Sequence, residues 1–427
     1  MTQLKQARLG NVTPQIREVA EQEGVDEAVI LRGVAEGTIV IPANVRRPHQ
    51  NVGIGKGLST KVSASIGTAK GSTAYQAELA KLACALQAGA HTIMDLSIGG
   101  DLDLARRQII AQCDRPLGTL PLYQAFREAV NNSNALDMTE EDFFRVMEKQ
   151  ALDGVDFMGL HCAMTLRTLE TAKKQGRLHD VVSWGGSLLA GWMLYHGKEN
   201  PLYTNYDRIL DLAQKYDLTL SLADGLRPGA IFDSLDRAQV QEMIFLGELV
   251  DRAREVEVQI MIKGPGHAPL SHLETTVKLM KQVCLEAPYF IFGPVVSDIA
   301  PGYDHITAAI GAAISAAKGV DFICYVTAAE HVGFPSLDDV RTGVIASLLA
   351  AHIGDLEKGN RQAWDWELAM DKARNPWDEA AQKQIALDPS KLGAACNMEG
   401  SYRCSRCGAK CAKKVLAEYF GKDISYC

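Results

Sequence analysis

Short apolar runs alternate with amphipathic stretches from about residue 70 to residue 350, and this alternation predicts repeated βα units. Eight runs can be counted: HTIMDLS from His91, RPLGTLPLY from Arg115, VDFMGLHC from Val155, HDVVSWG from His179, LTLSLAD from Leu218, VQIMIKGPGH from Val258, YFIFGPVVSD from Tyr289 and VDFICYVTAAEH from Val320. Between them lie stretches such as YQAELAKLACALQAGA and SLDRAQVQEMIFLGELVDRAREVE, whose apolar residues recur at three and four, as on one face of a helix. Eight such units favour a closed (β/α)8 barrel of the α/β class over an open sheet.

Two flanks remain. Residues 1–68 hold the charged helical stretch TPQIREVAEQEGVDEAVILRGVAEG, then IVIPAN and the glycine-spaced GIGKGLSTKVSASIGT, and are expected to form an N-terminal α+β domain. The barrel is expected over residues 69–355, and charged helices with a cysteine-rich end over 356–427. Glycines 53, 55 and 57 lack the strand and helix context of a nucleotide fingerprint.

The barrel assignment places the chemically versatile residues at the C-terminal ends of the runs, which is the catalytic face of such a fold. It collects Met94, Tyr123, His161, Ser183, Asp224, His267, Asp298, Glu330 and His331. Gly and Pro punctuate ordinary βα loops as well, so each residue alone is weak evidence. Imidazoles His267 and His331, at the ends of next-but-one strands, could share a metal, with water or substrate completing its shell.

Composition removes whole classes of function. The 427-residue chain is 47% hydrophobic and 22% charged, and no apolar run approaches the roughly 20 residues of a membrane span. A net charge of -8 with scattered basic residues gives no footprint for nucleic acid. The N-terminal MTQLKQARLGNVTPQ lacks the apolar centre of a signal peptide, so a cytoplasmic location with reduced, metal-bound or catalytic cysteines is expected. Cys84, Cys113, Cys162, Cys284 and Cys324 are spread singly through apolar segments and read as small core hydrophobes, whereas Cys396, Cys404, Cys407, Cys411 and Cys427 crowd the C-terminal end. The spacing CSRCGAKC suits a zinc knot completed by Cys396 or Cys427, an iron–sulfur cluster with one iron lacking a protein ligand, or free thiols.

The motifs GIGKGLSTKV, MDLS with GGD, DGLRPG, GPGH, SDIAPGYDHIT and CYVT with AEH resemble those of the phosphomethylpyrimidine synthase family of radical S-adenosylmethionine (SAM) enzymes, over nearly the whole chain. The resemblance implies a (β/α)8 barrel, a homodimer, and a C-terminal segment that closes over the partner's barrel. Cys404, Cys407 and Cys411 would bind a 4Fe–4S cluster whose fourth iron holds SAM and delivers the electron that cleaves it, an external protein supplying that electron. The family substrate is 5-aminoimidazole ribotide. Ser65, Met94, Tyr123, His161, Ser183, Trp184, Gly185, Asp224, Arg227, Lys263 and Phe290 match substrate-contacting positions, and His267 and His331 match a second metal site, commonly zinc.

The departures concern charge. SRGG becomes Ser183-Trp184-Gly185-Gly186, EGPGH becomes Lys263-Gly-Pro-Gly-His267, VNANIG becomes a run with Ser65, and a tyrosine becomes Phe290. The interval between Cys407 and Cys411 is also one residue shorter, three against four. Replacing an acceptor by Lys263 and a planar phosphate clamp by Trp184 favours the sister activity, 5-hydroxybenzimidazole synthase, which releases formate and phosphate from the same ribotide. Pyrimidine synthesis is the alternative. A non-radical zinc barrel enzyme using the two histidines and a ribotide sensor without turnover are readings from other classes.

Overall fold

The computed structural model describes residues 1–69, 75–132, 134–374, 378–392 and 412–421. The chain divides into two compact units, Met1–Lys358 and Gly359–Cys427. The first begins with helices Gln3–Arg8, Pro14–Glu23 and Glu27–Glu36. Thr2, Thr13 and Asp26 cap their N-termini through side-chain oxygens, and glycines 24 and 37 end the second and third in left-handed conformations. Their apolar stripes, including Ile16, Val19, Ile30 and Val34, form a small core with Ile39 and Leu58.

Strands β1 (Ile39–Val40) and β2 (Ile54–Gly55) pair antiparallel. The next eight are β3 (Lys61–Ile66), β4 (Thr92–Asp95), β5 (Leu117–Thr119), β6 (Phe157–Leu160), β7 (Thr219–Ala223), β8 (Ile260–Lys263), β9 (Tyr289–Phe292) and β10 (Phe322–Cys324). They form a closed parallel barrel in which β10 returns to β3, with Phe322 opposite Lys61 and Cys324 opposite Ser63. The α/β barrel expected from the alternation is therefore present, with helices such as Tyr75–Gln87, Arg237–Glu255 and Leu337–Glu357 between or after the strands.

One of the eight runs takes another conformation. HDVVSWG is not a strand: the Arg177 guanidinium pairs with Asp236 at 2.6 Å, and Asp233 accepts the N–H groups of Leu178 and His179. The segment is thus tied down as a loop, and Ser183 begins the helix Trp184–His196. The eighth strand is instead KVSASI, within residues 1–68. Val62, Ala64 and Ile66 face the helices there, so the chain alternates correctly. Its inward positions are small and polar, which weakens the apolar signal.

Strand residues pointing outward, such as Leu220, Leu222, Ile260 and Ile262, are buried under helices in the main core. Those pointing inward, including Met94, Phe157, Met261, Phe290, Phe322 and Cys324, fill the barrel together with Val40 and Ile54 of the β1–β2 hairpin. The rings of Phe290 and Phe322 stack at 4.0 Å. Gly118 makes room for Phe157, since a Cβ at Gly118 would lie 2.2 Å from that ring.

Asp156, immediately before β6, ties the N-terminal segment to the barrel. Its fully buried carboxylate accepts the N–H groups of Asn44 at 3.0 Å and Leu117 at 2.8 Å, meets His49 Nε2 at 2.8 Å and pairs with Arg47. The second unit contains helices Arg361–Arg374, Glu379–Ile385 and Ala412–Tyr419, the first two joined by the Trp366 indole donating to the Ile385 carbonyl at 2.7 Å.

Removing one member of a buried charge network leaves the others uncompensated, at a cost of about 3–5 kcal/mol. Asp156→Ala is accordingly expected to lower the thermal unfolding midpoint by several degrees, checked by calorimetry; an unchanged midpoint would show that this network does not hold the two parts together.

Candidate active site

The ends of the strands build one polar mouth. Ser65 lies near the end of β3, with Oγ 3.5 Å from the Cys324 thiol, and Met94, Lys263 and Phe290 come from β4, β8 and β9. Tyr123 sits on the helix directly after β5, His161 follows β6, and Asp224 follows β7 with Arg227 three residues on. Cys324 is buried in the apolar filling of the barrel, as expected of a core thiol, and there touches Ser65.

Ser183 organises one wall. Its hydroxyl accepts the Gly186 N–H at 3.3 Å, capping the helix, and lies 2.8 Å from His161 Nε2. Gly185 permits this approach, because a Cβ there would stand 2.5 Å from His161 Cε1. Nδ1 of His161 is left buried without a protein partner. Burial, reinforced by Arg227 and Lys263, lowers the imidazole pKa to about 3, so His161 is neutral at ordinary pH. The indole of Trp184 meets the Tyr123 ring edge-on at 4.3 Å, forming an aromatic side to the mouth.

Asp224 faces it. The carboxyl is 3% exposed, neither oxygen has a protein hydrogen bond, and Arg227 Nη1 is 4.0 Å from Oδ1. Burial pushes its pKa up to about 7, against the pull of Arg227 and Lys263. The Lys263 ammonium lies 3.7 Å from Met94 Sδ and 4.5 Å from the centre of the Phe290 ring, and burial lowers its pKa. Among the described residues no carboxylate stands within ion-pairing distance of it. A carboxyl without a hydrogen-bond partner, held only at 4.0 Å from Arg227, and an ammonium without a nearby carboxylate therefore share the site, as in pockets that await a polar ligand.

Beside this pair stand the two histidines. His267 Nδ1 is 2.7 Å from Asp298 Oδ1, His331 Nδ1 is 2.8 Å from Asp304 Oδ1, and the ring centres are 5.2 Å apart. Each carboxylate fixes its imidazole through Nδ1 and leaves Nε2 for a ligand, which is how metal-binding histidines are oriented. Among the described residues no group of three or more His, Cys, Asp or Glu is arranged to hold a metal ion. The pair fits a divalent ion only if water or a bound ligand supplies the remaining positions.

The histidines and Arg227 border a cavity of about 470 Å³, and Ser65, Lys81 and Tyr325 border another of about 340 Å³; Phe292 and Glu330 line both. Larger grooves of about 580 and 650 Å³ lie on the outer helices, one between Thr171 and Ile244, the other between Glu141 and Lys215, away from these groups.

The Radical SAM ThiC family model matches residues 2–418. The chain belongs to this family. It is 51% identical over 434 residues to the phosphomethylpyrimidine synthase of Desulforamulus reducens and 52% identical over 432 residues to that of Moorella thermoacetica, with the whole of both chains covered in each case. The phosphomethylpyrimidine synthase of Thermoanaerobacter sp. is 50% identical over 436 residues, again along the whole of both chains.

Membership of the radical SAM ThiC family implies a 4Fe–4S cluster and SAM. Cys404, Cys407 and Cys411 lie outside the described residues, as do Cys396 and Cys427. No helix among the described residues is long and apolar enough to cross a membrane. The linear pattern does not pick out Asp304, although it stands in the GYDH stretch, nor Glu242. A signal for Glu242 exists all the same: this acid falls on the apolar stripe of its helix with Ala238, Met243 and Leu246.

The raised pKa of Asp224 makes its ionisation oppose folding. The penalty is absent below the unfolded carboxyl value near pH 4, grows by about 1.4 kcal/mol per pH unit, and is complete above about pH 7. Asp224→Asn is expected to raise the melting temperature above that of the wild type at pH 8, with the gap shrinking towards pH 5. A gap independent of pH would show that Asp224 carries no such charge penalty.

Proposed function

We propose that this radical SAM enzyme binds 5-aminoimidazole ribotide in the barrel mouth and converts it to the pyrimidine phosphate for which its relatives are named. The observation that carries the reading is the meeting of Asp224, Arg227 and His161 in one mouth, the first and last with polar atoms lacking a protein partner. Asp224 accepts from the amine or ribose hydroxyls of the ligand, and Arg227 holds an anionic group through its planar fork. Neutral His161, oriented by Ser183, offers Nδ1 to the ligand as donor or acceptor according to tautomer. Tyr123 and Trp184 provide an aromatic surface against which a flat heterocycle packs.

When bound, the cluster supplies the electron that cleaves SAM, with Cys404, Cys407 and Cys411 as its ligands by resemblance. A divalent ion, zinc by the same resemblance, would be held by His267 and His331, whose rings Asp298 and Asp304 fix. By the same resemblance, an external electron donor and a second copy of the chain would complete the scheme.

One observation favours a second product. Lys263 occupies the position of a family glutamate, and its ammonium points among Met94 and Phe290 without a carboxylate, while Trp184 stands where an arginine is expected. With tryptophan at position 184 the pocket lacks one planar clamp on the ligand's phosphate, which fits release of phosphate and formate with formation of 5-hydroxybenzimidazole.

Mass spectrometry after anaerobic reconstitution with iron and sulfide, followed by SAM, reductant and the ribotide, separates the two. A phosphorylated hydroxymethylpyrimidine is expected; a phosphate-free hydroxybenzimidazole carries the second reading instead, and neither product removes the ribotide as substrate. Protein without iron or sulfide uptake would point to a non-radical zinc barrel.

Cys407→Ala is expected to abolish deoxyadenosine formation from SAM while leaving the melting temperature of Met1–Lys358 unchanged, since the substitution lies outside that unit. A variant that still forms deoxyadenosine at the wild-type rate would remove Cys407 from the cluster.

A further inference from the structure

The loop from Asp224 to Pro228 carries both a carboxyl and a guanidinium of the proposed ligand site, and its shape is set from outside the barrel. Glu242, on the helix Arg237–Glu255 that follows β7, is 1% exposed. One of its carboxylate oxygens accepts the Gly225 N–H at 2.8 Å, and the other accepts the Leu226 N–H at 2.8 Å. Gly225 and Leu226 are the two residues between Asp224 and Arg227. At its far end the loop is held by the His267 N–H donating to the Pro228 carbonyl at 3.0 Å.

The packing leaves no slack. A Cβ on Gly225 would lie 3.1 Å from Met164 Sδ and 3.2 Å from Glu242 Oε1, and a Cβ on Gly186 would lie 2.8 Å from the Gly225 carbonyl. The loop is therefore wedged between the helix bearing Glu242 and the start of the helix capped by Ser183. On its other side, a Cβ on Gly264 would stand 2.5 Å from Asp224 Oδ2.

We infer that Glu242 is a positioning residue for ligand binding: by fixing Gly225 and Leu226 it sets the direction in which Asp224 and Arg227 present their side chains. The inference rests on the proposed function, because it takes Asp224 and Arg227 as ligand-binding groups. Burial and the neighbouring Asp224 push the pKa of Glu242 up, against the pull of the Leu226 and Gly225 N–H groups, whereas an apolar residue would suit the helix stripe but leave both buried N–H groups without an acceptor. What the acid supplies is a pair of acceptors at the spacing of two successive N–H groups. Glutamine preserves the shape but turns an amide N–H towards one of those donors.

The test compares Glu242→Gln and Glu242→Asp with the wild type in two measurements. Hydrogen exchange of the Gly225–Arg227 segment needs neither cluster nor ligand, and the glutamine variant is expected to exchange roughly tenfold faster there, with regions remote from the loop unaffected. Kinetics of the reconstituted enzyme with the ribotide is expected to show KM raised about tenfold, the loss falling mainly on KM rather than kcat. The aspartate variant, which keeps both acceptors on a shorter stem, is expected to recover part of each effect, and it also serves if the glutamine variant does not fold. Unchanged exchange overturns the clamp whatever the ligand. Faster exchange with unchanged KM reduces Glu242 to a structural role and overturns the inference. A wild-type enzyme that does not take the ribotide, but whose loop loosens in the variants, fails the proposed substrate and leaves the clamp standing.

Discussion

Closure of the sheet through the pairing of β10 with β3 is the constraint on which the rest depends. Phe322–Cys324 hydrogen-bonds to Lys61–Ser63 on one side and to Phe290–Phe292 on the other. That ring of parallel strands leaves no edge, and it directs every strand end to the same rim. Residues far apart in the chain thereby meet: Ser65 beside Cys324, Lys263 beside Met94, and Gly185 against His161.

The site combines buried polar groups whose hydrogen-bonding capacity the protein itself does not satisfy. Asp224 has no hydrogen-bond partner of its own, Lys263 has only a thioether and an aromatic face, and His161 keeps one nitrogen free. In a core of this density such groups oppose folding. Their persistence together in one mouth is the physical mark of a place shaped for a ligand rather than for stability. The histidines differ, since Asp298 and Asp304 already satisfy one nitrogen on each and define the direction of the other.

Much of this is legible in the chain because parallel strands covered on both faces read as continuous apolar runs. Seven of the eight runs fall on barrel strands, and the residues at their ends fall on the rim. KVSASI escapes because Ser63 and Ser65 point inward, so half of its positions carry no apolar signal. HDVVSWG misleads for the opposite reason. Val181 and Val182 resemble a strand locally, but the ion pair of Arg177 with Asp236, distant in sequence, decides the conformation. Short motifs mark out residues that the strand ends bring together at the rim, whereas the contacts of Glu242 with Gly225 and Leu226 and of Asp304 with His331 depend on geometry that the linear pattern does not contain. The cysteine spacing is conspicuous in sequence, and the chemistry of that segment rests on family membership.

The β1–β2 hairpin has a bearing on traffic. Val40 and Ile54 pack with Phe157 and Phe322, which are the first residues of β6 and β10, so the barrel is stoppered at the end opposite the polar rim. Anything entering from that rim thus meets a closed floor rather than a tunnel. Whatever enters last sits nearest the exit, and fragments formed beneath it leave only after the groups above them have moved aside. Passage of small products is then ordered by depth, with no gate or hinge required to impose the sequence.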